Sequence, residues 1–421
     1  MKNSYILLLV LPWFAASQIK TDTLPKPFAT KSETNFSHVL GWKDGRTPKA
    51  PDGFKVTKYA DGFENPRWLY VTPNGDVLVA QSNSNYSLLK RIGASIIGAG
   101  KSNNLKHSAD IITLLRDADK DGIPEIRETF LTEGLDQPLG MLVMNEWFYV
   151  ANTNALLRYP YKPGQTKITG KGQKICDLPA GKHNQHWTRN IIANSDNSKI
   201  YIAVGSGSNI AEHGIDHELL KACVLEVNPD GSGLRVYASG LRNPVGMDWA
   251  PNTKTLFTVV NERDGLGNEL VPDYLTSVKE NGFYGWPYSY FGQNIDPRVK
   301  DKKPEMLEKA IVPEVALGSH TASLGLVFYD KDAFPQKYRN GTFIAQHGSW
   351  NRKPLSGYKV VFVPFTDGKP SGKPEDFLTG FVADQDKEVY GRPVGITLLQ
   401  NGAMLLADDK TNTVWLIQAT K

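Results

Sequence analysis

The chain has little sulfur to work with. Only two of its 421 residues are cysteine, Cys176 and Cys223. No CxxC or CxxCH occurs, so zinc ribbons and haem attachment are excluded. In an exported chain the two cysteines form a disulfide or stay as buried thiols; the sequence leaves both open. Charge of one sign is also missing. The 48 basic and 44 acidic residues leave a formal charge of +4, and no basic run is interleaved with aromatics, which argues against nucleic acid. Long helical periodicity is scarce. There is no Gly-x-Gly-x-x-Gly after a strand, no P-loop, no His-Glu-x-x-His and no Gly-x-Ser-x-Gly. Rossmann dehydrogenases, nucleotide hydrolases, zincins and α/β-hydrolases are disfavoured accordingly.

No apolar run is long enough to span a membrane. The nearest is residues 6–14, which follow Lys2 and precede Ala15-Ala16-Ser17. That order is a signal peptide over residues 1–17, cleaved before Gln18. No cysteine stands there to carry a lipid, and a periplasmic or secreted protein is expected. Residues 18–50 are polar and aperiodic, a linker or edge segment.

Turn and strand residues are abundant: 38 Gly, 26 Pro, 17 Tyr and 17 Phe. One short pattern recurs, a strand ending in small or polar residues. It runs Asp76–Gln81, Trp147–Asn152, Lys199–Gly205, Thr255–Asn261, Gly341–His347 and Ala403–Asp408. Six copies, roughly 50–85 residues apart, indicate a radial repeat. Further strand-like runs follow at 88–92, 156–159, 224–227, 274–278, 358–363 and 414–417. The expected fold is all-β, a six-bladed β-propeller of four-stranded antiparallel blades over residues 51–421. The polar ends of equivalent strands then gather at one mouth of the channel.

Several motifs offer chemistry. Asp117-Ala-Asp119-Lys-Asp121-Gly122, with Glu128 at the twelfth position, has calcium-loop spacing without the helices of an EF-hand. Otherwise it is an acidic surface turn. His183-Asn-Gln-His186-Trp-Thr-Arg189 places a histidine where it can act as a base; a solvated loop histidine is the bland alternative. Arg242-Asn243 can orient an oxygen-rich ligand. Asn261-Glu262-Arg263-Asp264 can hold a metal or form an ordinary ion-pair cluster. In His347-Gly-Ser-Trp350-Asn-Arg352 the tryptophan can stack on a flat ring and the arginine can take a carboxylate. Arg392 offers another cation.

The motifs His186–Arg189, Leu241–Gly246, Asn261–Gly265, Tyr284–Pro287, His347–Arg352 and Arg392–Gly395 follow in the order seen in the glucose/sorbosone dehydrogenases. The chain resembles that family of soluble quinoproteins over roughly residues 55–418, with its sorbosone-dehydrogenase-like branch the nearest. The resemblance implies pyrroloquinoline quinone (PQQ) lying across the channel mouth with Ca²⁺. It makes His186 the base that takes the proton from the sugar while hydride passes to PQQ. It gives Arg242 and Asn243 contacts to cofactor and substrate, and Gln137 a part in positioning substrate. Backbone oxygens at Asn261, Glu262 and Asp264 would carry the Ca²⁺. His347 falls near the place of the family's cofactor-binding lysine. Tyr390 replaces one of two arginines, leaving Arg392; Trp350 and Arg352 complete the expected cofactor contacts.

The expectation is a PQQ- and Ca²⁺-dependent dehydrogenase of aldose sugars or related aldehydes. Its partners are a small sugar and a quinone or separate cytochrome that accepts electrons. Two alternatives are a propeller sugar-lactone hydrolase and a non-catalytic propeller that binds glycans or proteins.

Overall fold

The computed structural model describes residues 24–85, 100, 107–384 and 387–420. The signal segment and the strand expected at 88–92 lie outside these residues. The described chain is all-β and built largely of antiparallel sheets with four consecutive strands. The first comprises Pro66–Val71, Val77–Gln81, Ile111–Arg116 and Ile126–Leu131. The next three begin at Met141–Met144, Arg189–Ala193 and Pro244–Trp249. The fifth begins at Ser323–Phe328 and the last at Pro393–Leu398. Each repeat copy read from the sequence is the second strand of one sheet, and these strands are almost wholly buried. They are apolar on both faces because each sheet is covered on both sides.

The first strands of successive sheets touch in chain order, and Pro393–Leu398 touches Pro66–Val71. The cycle therefore closes. It is sealed where Phe54–Ala60 pairs antiparallel with the C-terminal strand Thr413–Ala419, Phe54 opposite Ala419. Phe54–Ala60 is thus the outer strand of the sheet that holds the C-terminal strand, so the last sheet draws on both sides of the seam.

This closure explains a motif that looks chemical in the sequence. Gly140, Gly246 and Gly395 end the patterns Pro-Leu-Gly and Pro-Val-Gly, and Gly325 occupies the same place in its strand. Each lies where one first strand crosses the next. A Cβ on Gly325 would sit 2.2 Å from the Val394 carbonyl oxygen, and one on Gly140 2.5 Å from the Ile191 nitrogen. The prolines open edge strands, where a missing N–H costs nothing. Gly325→Ala should therefore destabilise the protein by at least about 1–3 kcal/mol, read as a fall in the denaturant midpoint. An unchanged midpoint would mean the strands are not held this closely.

Antiparallel pairing also fixes where the site lies. Gln81 is opposite Pro66, Val204 opposite Arg189 and Val260 opposite Pro244. Gln346 is opposite Ser323 and Asp408 opposite Pro393. The last residues of the second strands and the residues just before the first strands meet at one end of the molecule. Residues 24–50 cross this end as a strap. Phe28 N donates to Leu266 O, Asn35 N to Trp350 O, and the Trp42 indole N–H to Asp408. His38–Val39 pairs in parallel with Glu388–Val389.

Cys176 and Cys223 are both free, on strands of different sheets. Burial pushes the Cys176 thiol up to about 11 and the Cys223 thiol up to about 12. Neither is a reactive thiolate at neutral pH.

Candidate active site

The loop before Arg189–Ala193 carries His186. Its backbone is held by Ser206, whose carbonyl accepts from His186 N at 3.3 Å. The same carbonyl lies 2.9 Å from His186 Nδ1. A carbonyl only accepts, so Nδ1 carries the proton and Nε2 is the basic nitrogen. Gly205 makes room: a Cβ there would lie 2.5 Å from His186 Cβ and 2.4 Å from Asn243 Oδ1. Two side chains from neighbouring sheets thus meet over one bare backbone position. Asn243 Oδ1 is buried and has no hydrogen-bond partner, so it is an acceptor awaiting a donor.

Arg242 is the hub. It is 2 % exposed and its guanidinium donates to Asn261 O at 3.1 Å, Glu262 O at 2.7 Å and Asn209 Oδ1 at 2.9 Å. It also pairs with Asp264 at 3.4 Å. Asp264 takes a hydrogen bond from Asn351 Nδ2 at 2.6 Å and faces His320 Nδ1 at 3.5 Å. Burial works against charge on Asp264, but His320, Arg242 and Asn351 outweigh it and hold its carboxyl below the ordinary value. Burial, followed by the Arg242 charge, pulls His186 down to about 3.

A second cluster stands at the fifth and sixth sheets. Asp409 accepts from His347 Nε2 at 2.8 Å, Arg67 at 2.7 Å and Lys410 at 3.1 Å. Arg392 donates to the carbonyls of His347 and Gly348 at 2.9 and 2.6 Å. Two cations, Arg67 and Lys410, converge on one fully charged acid, and Arg392 is held at the neighbouring His347 carbonyl. The other acid here, Asp408, is pushed up to about 6, chiefly by burial. The region is positive in net. Burial, then Arg392, brings His347 down to about 3, so it is no cation. Arg67 lies over the Trp187 ring at 6.0 Å, which joins this cluster to the His186 loop.

Other expected residues lie elsewhere or are committed. Gln137 is at the same strand ends, its side chain donating to Asn83 O at 2.8 Å. Trp350 is 40 % exposed and stacks on Phe36 of the strap at 5.6 Å. Arg352 does not reach an open cavity; it is bidentate to Glu269 at 2.8 and 3.1 Å. The 261–264 loop does not fit a cation as arranged. Its carbonyls at Asn261 and Glu262 take Arg242, and the Asp264 carbonyl takes Arg298 at 2.6 Å. The Glu262 carboxylate forms a fully buried pair with Arg263 at 2.9 Å. A Ca²⁺ there would face guanidinium groups, and the side-chain oxygen of this loop that is buried without a partner is Glu262 Oε1.

The Asp117 loop does fit. Asp117, Asp119, Asp121 and Glu125 bring their oxygens within 4.8 Å of one another. Glu125 replaces the expected Glu128: the chain enters strand Ile126–Leu131 first, and Glu128 is carried out along it opposite Leu114. Lys120 and Gly122 take positive φ to close the turn. The loop joins the third and fourth strands of the first sheet, so it lies at the end away from His186. A cavity of about 690 Å³ lined by Asp248, Phe328 and Arg339 also opens at that far end.

Sequence patterns alone did not single out Arg67, Asp409, Lys410 or Asn209. Asp409 and Lys410 directly follow a repeat strand, and that position was the available signal.

The protonation states are open to measurement. In the ligand-free protein His186 and His347 should stay neutral between about pH 5 and pH 8, seen by NMR of the histidine rings. A midpoint near 6.5 for His186 would refute the assigned environment. Because both values are depressed on folding, the unfolded chain takes up these protons first. The stability they contribute is complete above 6.5 and is lost as pH falls toward 3.

The comparisons with known proteins agree with this architecture. An uncharacterized protein of Borreliella burgdorferi is 27% identical over 388 residues, covering 89% of this chain and 92% of that one. The PQQ domain of a pyranose dehydrogenase from Coprinopsis cinerea, in its holo form, superposes with a TM-score of 0.71 at 18% identity, over 91% of this chain and 100% of that one. A calcium structure of a Trichoderma reesei carbohydrate-active enzyme of family AA12 gives 0.72 at 17% identity, over 92% and 100%. At such identities the likeness is one of fold. A family model described as TrAA12-like matches residues 48–281 and 289–420, and the chain belongs to that family.

Proposed function

We propose that this protein is a PQQ-dependent sugar dehydrogenase on a six-bladed propeller, oxidising a pyranose or related aldose. The observation that carries the reading is His186, a neutral imidazole with its proton fixed on Nδ1, beside a buried and unpartnered Asn243 oxygen and a net-positive cluster. PQQ when bound supplies the two-electron acceptor that no side chain here provides. It is a flat tricarboxylate, and Arg67, Lys410 and Arg392 suit its carboxylates. His186 Nε2 receives the proton of the sugar hydroxyl. Burial, with the Arg242 charge second, keeps that nitrogen unprotonated at rest, and Arg242 holds the 261–264 loop in place. The holo PQQ domain and the calcium structure among the similar proteins favour the same pair of ligands here. The electron acceptor is a separate quinone or cytochrome, and the exported protein works outside the cytoplasm.

Reconstitution tests this. Apo-protein is mixed with PQQ and Ca²⁺ and assayed with an artificial acceptor and a panel of pyranoses. Reduction that needs both PQQ and sugar supports the reading. Lactone hydrolysis without PQQ would make the protein a hydrolase, and failure to bind PQQ would leave a non-catalytic propeller.

The Asp117 loop is assigned a structural Ca²⁺. Saturating calcium at about 100-fold over Kd adds about 2.7 kcal/mol of stability. Wild-type Tm should thus rise on adding Ca²⁺, and Asp119→Ala should lose the rise while keeping turnover. If chelation leaves the wild-type Tm unchanged, the loop holds no metal.

A further inference from the structure

Beside the active-site loop, on its outer side, three histidines lie ring to ring. His183 stacks on His213 with centroids 3.9 Å apart and meets His217 edge-on at 5.0 Å. His213 and His217 are exposed and His183 is half-buried. His183, His217 and Asp216 line one cavity of about 470 Å³. These rings come from two separate segments, the loop before His186 and the turn Ile215–Glu218.

The backbones are fixed although the rings are free to turn. Lys221 Nζ donates to His183 O at 2.5 Å and to His217 O at 3.0 Å, tying the two segments together. The Glu218 carboxylate accepts from Gly207 N at 2.6 Å and from Ser208 Oγ at 2.5 Å, anchoring the turn to the body. The ring nitrogens do not yet converge: among the described residues the one group already within mutual ligand reach is the Asp117 loop. Convergence requires rotation about χ1 and χ2, and the His213 and His217 rings that would turn face solvent. Imidazoles with one carboxylate suit a first-row transition-metal dication and not Ca²⁺.

We propose that His183, His213 and His217, with Asp216 as an oxygen donor, form a binding site for a divalent transition metal of the zinc and copper class. The site is separate from the active site and from the Asp117 loop.

The test is calorimetric titration of Zn²⁺ into the tag-free full chain, with excess Ca²⁺ present to fill oxygen-rich sites. One Zn²⁺ should bind with Kd tighter than about 100 μM. The exposed double variant His213→Gln/His217→Gln should keep its Tm and weaken binding by more than about 100-fold, above the loss typical of a supporting contact. A wild-type Kd weaker than that limit, or equal binding in the double variant, overturns the proposal. Copper(II) as a second probe should give nitrogen hyperfine structure in its EPR spectrum from wild type only. The same signal from the variant likewise overturns it.

Discussion

His186→Ala is expected to cut turnover by at least about 100-fold, the usual scale for a positioned base, with PQQ loading preserved. The imidazole is the one group near Asn243 that is neutral, tautomerically fixed and able to accept a proton. Its Nδ1 proton is spent on Ser206 O at 2.9 Å, so Nε2 is the unprotonated nitrogen, with its lone pair left to accept a proton. Alanine keeps the backbone bond to Ser206 and removes a side chain whose burial is unfavourable when charged. The fold should therefore survive, and loading is read separately by absorbance titration. Turnover within a few-fold of wild type would remove His186 from the mechanism. Loss of loading together with turnover would make it a binding residue instead.

Lys410→Met should separate stability from cofactor affinity. The Lys410 ammonium is 2 % exposed, and burial holds its pKa down despite Asp409. Because Arg67 and His347 stay on Asp409 when the lysine is gone, apo stability should fall by less than the roughly 3–5 kcal/mol of a fully broken buried pair. A tricarboxylate ligand loses one of its three cations, so its Kd should rise by about 30-fold or more, on the 2–5 kcal/mol scale of a truncated buried charge pair. The readout is PQQ binding to the apo-protein, independent of turnover. Equal PQQ affinity in wild type and variant would show that the positive cluster does not face the cofactor.

The two motifs that looked most chemical in the sequence differ in what the structure makes of them. Arg392-Pro-Val-Gly395 and Leu241–Gly246 are partly fold signatures, since their prolines open edge strands and their glycines let successive sheets approach. Within them Arg242 and Arg392 do reach the site. The His347–Arg352 segment divides the same way. His347 turns inward to Asp409, whereas Arg352 turns to Glu269 and Trp350 to Phe36. Which side chain of a loop faces inward depends on the strap of residues 24–50, and its aperiodic sequence gives no sign that it covers these loops. Glu128 shows the same limit: spacing counted twelve residues, but the strand that starts at Ile126 had already carried the chain away.

What the sequence determined by itself is the repeated buried strand, and through it the all-β sheets, their order and the end at which polar residues collect. Strand alternation and turn chemistry are local, so they are written locally. What only the tertiary structure decided is partnership across sheets. Arg67 and Asp409 are 342 residues apart in sequence and 2.7 Å apart in space, and Arg242 draws its partners from two separate loops, one with Asn209 and one with Asn261–Asp264. Such pairs are made by ring closure, which depends on the whole chain, and no short window of residues contains it.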